Sequence, residues 1–202
     1  MDARIEPIER IVDACTRVIF AGGTIVFPSD TGPAIACDPF HSAAIDRIYA
    51  LKGYPDDKPL TMFVASPVEF LEYARGNPLA SLASKRLLPG PVTLLVRRPA
   101  FISDELNAGL PTLGLRVPDE PVARAILERV GPLVGASTGG DAKVAPDLTI
   151  ENGAAPYDRE SSIVDLTHQP ARLVREGAMS YERLTERLGP IERQTVKVRS
   201  QT

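Results

Sequence analysis

Short apolar runs separated by helix-length amphipathic stretches set the strongest limit on what this chain can form. Strand-like runs fall at 23–28, 60–65, 92–97, 113–117, 133–136, 162–166 and 172–175. Helical patterns lie between them at 4–20, 41–52, 67–74, 79–87, 119–130 and 180–188. Strands follow helices in part and one another in part, so the implied fold is α/β with a mixed sheet. No repeat or linker breaks the pattern, and residues 1–190 read as one domain, with 191–202 a C-terminal tail that is either disordered or adds an edge strand through TVKV. With 202 residues, 44% of them hydrophobic, the chain is long enough to bury a full core.

Three polar runs interrupt this scaffold where strands and helices end. PSDTGPAIACDPF (28–40) follows the strand-like GTIVF, so Ser29, Asp30 and Thr31 sit at a strand-to-loop turn; Asp30 and Thr31 can cap the next segment, and Gly32 lets a ligand approach the backbone. IYALKGYPDDKPL (48–60) closes a helix with Lys52 and passes through two prolines, placing Lys52 and Lys58 on either side of a stiff turn. LVGASTGGDAKVAPD (133–147) ends an apolar segment with Ser137, Thr138, Gly139 and Gly140, hydroxyls beside glycine amides able to form an anion-binding nest. Cations, hydroxyls and backbone amides are what a nucleotide phosphate requires. Arg116, in LGLRVP, stands at a strand end, where its guanidinium meets either a ligand anion or a salt-bridge partner such as Asp119 or Asp165. Pro89-Gly90-Pro91 reads as a stiff lead into the strand at Val92.

In order and wording these runs resemble the YrdC-like family, the threonylcarbamoyl-AMP synthases. LLPGPVTLLV (87–96), LGLRVPDEPVARAIL (113–127) and SSIVDLTHQPARLVREGAMS (161–180) extend the likeness over residues 5–188. The resemblance implies a twisted mixed sheet curled around a concave cavity with helices outside. It implies an enzyme that converts threonine, bicarbonate and ATP into threonylcarbamoyl-adenylate and pyrophosphate for tRNA modification, with Mg²⁺ accompanying ATP and with tRNA or tRNA-modification proteins as further partners. Carried over residue by residue, it assigns Lys52 and Ser137 to catalysis, and Lys52, Ser137, Ser161 and Arg175 to ATP; Lys58 at the rim and Thr138 and Gly139 beside Ser137 are further candidate ATP ligands from their place in the loops. Ser29, Thr31 and Arg116 fall at the amino-acid end.

Four residues depart from the family pattern. Tyr54 stands where the family carries arginine, Gly139 where it carries asparagine, and Pro33-Ala34 where a tyrosine-glycine pair is usual. A phenol cannot replace the fixed fork of a guanidinium. Two further readings therefore stay open: a non-catalytic nucleotide- or RNA-binding paralogue, and an adenylating enzyme with a different acceptor.

The net charge of −3 argues against a general nucleic-acid binder, although seven Lys/Arg stand against four Glu from Gln169 onward. The N-terminal stretch mixes charges into an amphipathic helix and is no signal peptide, no run reaches membrane-spanning length, and a cytoplasmic protein is expected. Cys15 and Cys37 have no metal-ligand spacing and suit a reducing compartment; His41 reads as a helix N-terminal residue and His168 as a loop residue, and no metal site is expected.

Overall fold

The computed structural model describes residues 7–53, 58–139, 145–151, 153–157 and 159–193. In chain order the elements are α1 (Ile8–Phe20), β1 (Ile25–Phe27), β2 (Ala34–Cys37), α2 (Ser42–Lys52), β3 (Thr61–Phe63), α3 (Pro67–Tyr73), α4 (Ala80–Leu87) and β4 (Val92–Arg97). A 3-10 turn at Glu105–Asn107 leads to β5 (Thr112–Arg116), α5 (Pro121–Val130), β6 (Leu133–Ser137), β7 (Leu148–Thr149), β8 (Ser162–Asp165), β9 (Ala171–Arg175), α6 (Tyr181–Leu188) and β10 (Ile191–Arg193).

Helix ends follow from local chemistry. Ser66 accepts from Glu69 N at 3.1 Å, Glu120 from Ala123 N at 2.6 Å and Ser180 from Arg183 N at 3.4 Å, each filling an orphan donor of a first turn. Pro67 and Pro121 take the first helical positions, where no N–H is needed. The His41 ring caps α2 by accepting from Ala44 N, and Gly53 closes that helix in the left-handed region at φ 57°.

Among the described residues the strands form one ten-stranded, twisted, open sheet in the order β10-β9-β8-β4-β5-β3-β6-β2-β1-β7. It is mixed, as expected: β3 runs parallel to β5 and β4 to β8, whereas β1/β2, β2/β6, β3/β6, β4/β5 and β8/β9 are antiparallel. Three strands went unread in the sequence. Ala34–Cys37 was expected to be loop; it is a strand buried on both faces, without the alternation that betrays one. Leu148–Thr149 is two residues long, and Ile191–Arg193, read as the start of a tail, pairs in parallel with β9. TVKV lies outside the described residues.

Successive side chains divide the core. Ile35, Met62, Leu94, Leu115, Val134 and Val164 face the layer containing α2, α3, α4 and α6. Ile25, Phe27, Ala34, Ala36, Phe63 and Leu133 face α1 and α5, with Phe27 edge-on to Phe63 at 5.3 Å. Asp147 ties the returning chain to the start of β1 and to α2, accepting from Thr24 N at 2.8 Å and from both Arg47 terminal nitrogens at 2.7 and 2.9 Å. No helix among the described residues is long and apolar enough to cross a membrane.

Gly135 pairs with Ala36 in the antiparallel β2/β6 ladder, and a Cβ there would strike the Ile35 carbonyl and Ala36. Gly135→Ala should therefore lower stability by about 3 kcal/mol through overpacking between paired backbones. Urea unfolding checks this; an unchanged midpoint would show that the β2/β6 pair can part without cost.

Candidate functional site

α1 and α5 cover only part of their face, and the rest of it holds a cavity of about 230 Å³. Its floor is β4, β5, β3 and β6, where Thr61, Phe63, Thr93 and Arg116 face inward. Gly114 pairs with Thr61 on one side and Leu95 on the other, and a Cβ on it would press on Thr93 at 3.3 Å. Gly135 lines the cavity and adds no side chain to it. A groove of about 590 Å³ lined by Val68, Tyr73 and Phe101 is larger, but the cations and hydroxyls converge in the smaller cavity.

Arg116 defines one wall. Its Nη2 donates to Asp30 Oδ1 at 2.6 Å, with side-chain exposures of 6% and 1%. The partner comes from the β1–β2 loop and is neither Asp119 nor Asp165; Asp165 instead accepts from Thr167 N and Oγ1 at 2.8 and 2.6 Å. Burial pushes the Arg116 pKa down, Asp30 opposes that, and Arg175 adds a smaller lowering. Arg116 Nε and Asp30 Oδ2 are buried without a hydrogen-bond partner among the described residues. The loop holding Asp30 is braced by Ser29, whose hydroxyl donates to Gly32 O at 2.5 Å and accepts from Thr31 N at 3.4 Å.

The opposite wall comes from β8 and β9. Thr93 Oγ1 and Ser161 Oγ share a hydrogen bond of 2.9 Å. Arg175 donates from Nε and Nη2 to Ser161 O at 3.1 and 2.9 Å, and from Nη1 to Glu160 Oε2 at 2.6 Å. Simple alternation would put Arg175 on the same face as Leu173, in the core. The register shift between Ile163 and Val164 pairs Arg175 with Ile163 and Leu173 with Val164, and this bulge turns the arginine toward the cavity.

The third side is the turn after β6. Lys52 Nζ donates to Thr138 O at 2.7 Å, bringing the end of α2 onto residues 137–139. Thr138 N and Oγ1 both donate to Pro33 O, at 3.0 and 3.2 Å, and Gly139 N donates to Ser137 Oγ at 3.3 Å. These amides serve the turn itself, so the nest expected from the sequence is engaged internally at 138 and 139; Gly140 and Tyr54 lie outside the described residues. Gly139 adopts φ 64°, and a Cβ on it would lie 3.8 Å from Lys52 Nζ.

Of the residues singled out in the sequence, the cavity brings together Thr31, Lys58, Arg116, Ser137, Ser161 and Arg175. Lys52, Thr138 and Gly139 stand beside it around Ser137. Ser29 lies across the loop, against a separate cavity of about 500 Å³ that also meets Glu120 and Pro156. Asp30 was read only as a cap, and Glu160 was not singled out at all, because its partner is 15 residues away and reached only through the β8/β9 pairing. Cys15 and Cys37 are buried, and burial pushes their thiols up to about 11 and about 12.

Residues 17–177 match the Sua5/YciO/YrdC family, described as Telomere recombination. The threonylcarbamoyl-AMP synthase of Pyrococcus abyssi is 27% identical over 203 residues, covering 91% of this chain and 60% of that protein. The crystal structure of P. abyssi Sua5 complexed with L-threonine superimposes with a TM-score of 0.83 at 26% identity, over 95% of this chain and 60% of the other. Escherichia coli YciO, also 26% identical, superimposes with a TM-score of 0.76 over 88% of this chain and 94% of that one. The chain thus spans about 60% of the length of the P. abyssi relative.

Two outcomes follow. Asp30→Ala should cost about 3–5 kcal/mol by stranding a buried guanidinium, and the Asp30→Ala/Arg116→Met double variant should cost less than the two singles summed. Additive losses in urea unfolding would show that the pair is not coupled. Both thiols should resist a disulfide reagent at pH 8 in the native protein and react in denaturant, because too little thiolate forms below pKa values of about 11 and 12; rapid native labelling of Cys37 would contradict its burial.

Proposed function

This chain belongs to the Sua5/YciO/YrdC family, and on that premise we propose that it joins threonine, bicarbonate and ATP into threonylcarbamoyl-adenylate, releasing pyrophosphate, to supply a tRNA modification. The observation that carries the reading is the convergence of Thr31, Lys58, Arg116, Ser137, Ser161 and Arg175 on one cavity from six separate parts of the chain. At about 230 Å³ it falls below the roughly 300–1,000 Å³ usual for ligand pockets, so a nucleotide would fill it and extend past its mouth.

In the reaction the threonine nitrogen attacks the carbon of bicarbonate-derived carbon dioxide and loses a proton, giving a carbamate. A carbamate oxygen then attacks the α-phosphorus of ATP; the Pα–O bond to the β-phosphate breaks and its electron pair leaves with pyrophosphate. Such transfers are driven mostly by positioning and charge neutralisation. Arg116, fixed by Asp30, and Thr31 would receive the amino acid, with Ser29 holding the loop that carries Thr31. Lys52, Lys58, Ser137, Ser161 and Arg175 would receive ATP, with Lys52 and Ser137 nearest the reacting phosphate. Thr138 and Gly139 contribute by anchoring Lys52 and Ser137.

Among the described residues, Glu160 lines the cavity and Asp30 stands behind Arg116, and both carboxylates are engaged by arginines, so this donor set fits phosphates better than a metal. Mg²⁺ would arrive on the triphosphate, as is usual for a cation that keeps several of its waters. Of the basic residues after Gln169, Arg172, Arg175 and Arg193 pair with glutamates, which favours a role upstream of tRNA over strong binding to it.

Adenylate formation with bicarbonate present, measured across all twenty amino acids, tests the reading. Turnover with threonine and its loss in Lys52→Ala are expected; turnover with another amino acid would change the acceptor, and none would leave a binding protein. Gly139 already sits where asparagine is tolerated, so Tyr54→Arg/Gly139→Asn should fold and raise the rate about 10-fold with little change in ATP affinity. A folded double variant with no gain would show that these positions do not limit the chemistry.

A further inference from the structure

Arg175 carries a competitor for any anion that approaches it. Its Nε and Nη2 are taken by the Ser161 carbonyl, at 3.1 and 2.9 Å, and its Nη1 by Glu160 at 2.6 Å. The contact differs in kind from Arg116–Asp30. That pair is shut away at 6% and 1% exposure, whereas Arg175 and Glu160 are 39% and 59% exposed, at the cavity's mouth.

The backbone beneath Glu160 is clamped. Ala178 N donates to Glu160 O at 2.8 Å, and the neighbouring Ser162 hydroxyl accepts from Gly177 N and Met179 N, both at 3.0 Å. A Cβ on Gly177 would strike the Glu160 and Ser161 carbonyls, so the two segments touch backbone to backbone. The carboxylate can rotate about its own side chain, but its Cα cannot withdraw. A phosphate that takes Arg175 Nη1 must displace Glu160 and then remain near it.

We infer that Glu160 is a specificity-determining residue that discriminates between ligands by negative charge: it occupies Arg175 in the empty site and weakens binding of polyphosphates while leaving uncharged ligands unaffected. The inference rests on the nucleotide reading above. Like-charge repulsion at this range is only partly screened by solvent, and an exposed ion pair is itself easily exchanged, so the penalty falls on ligand affinity and leaves the fold's stability almost untouched. Glutamine keeps the length of the side chain and an oxygen that accepts from Nη1, so Glu160→Gln removes the charge and retains the support for Arg175.

Calorimetry with ATP and Mg²⁺, with inorganic pyrophosphate and with adenosine tests this on wild type, Glu160→Gln and Glu160→Ala. Glu160→Gln should tighten ATP and pyrophosphate about 10-fold, with the gain shrinking as salt rises, and leave adenosine unchanged; Glu160→Ala should also tighten the two anions. Weaker anion binding in either variant would mean that Glu160 merely supports Arg175, and equal gains for adenosine would remove charge as the cause; either overturns the inference. ATP that binds wild type and variants with one affinity overturns this inference alone. ATP that binds none of them overturns the nucleotide reading and takes this inference with it.

Discussion

Arg116 and Asp30 meet at 2.6 Å with scarcely any exposure, and the site is organised around that contact. Removing a guanidinium and a carboxylate from water costs several kcal/mol per ion, and the attraction between them rarely returns more than a well-packed apolar pair would. The contact is therefore weak as a source of stability and strong as a source of position. It fastens the β1–β2 loop to the end of β5, so Thr31 and Arg116 are held against the same cavity.

The cavity exists because of what the sheet lacks. Gly135 lines it without a side chain, and the residues packed with α1 and α5 include none from β4, β8 or β9. Into that space come cations, each with a local restraint: Arg116 by Asp30, Arg175 by the Ser161 carbonyl, and Lys52 by the Thr138 carbonyl. Long charged side chains lose rotamer freedom on binding, and restraint beforehand lessens that loss. The same restraint makes the site selective, since an exposed counter-ion at the mouth is a different obstacle from a buried one beneath the floor.

Strands at 23–28, 60–65, 92–97, 113–117, 133–136 and 162–166 were legible because their apolar runs are bounded by turn residues, and the helices because their apolar residues recur at helical spacing, with ends that the structure fixes at Ser66, Pro67, Pro121, Ser180 and Gly53. Ala34–Cys37 was not, since a strand buried on both faces has no period-2 signature. Resemblance, more than periodicity, picked out Ser161 and Arg175; alternation along β9 points Arg175 into the core, and only the bulge opposite Ile163 corrects it. Asp30 was visible as a residue but not as a partner, because nothing local links it to a position 86 residues on. Glu160 carried no signal of its own, and the internal use of the Thr138 amide depends on the Pro33 carbonyl, which sequence cannot align with it, while the Gly139 amide is taken by the Ser137 hydroxyl.

A crystal structure obtained with ATP and threonine together tests the central claim, that ligand binds where the two arginine walls face each other. The account predicts density between Arg116, Ser137, Ser161 and Arg175, running out of the cavity past Lys58, with Arg116 still on Asp30. Density in the larger groove beside Val68, Tyr73 and Phe101, with the arginine-walled cavity empty, would contradict it.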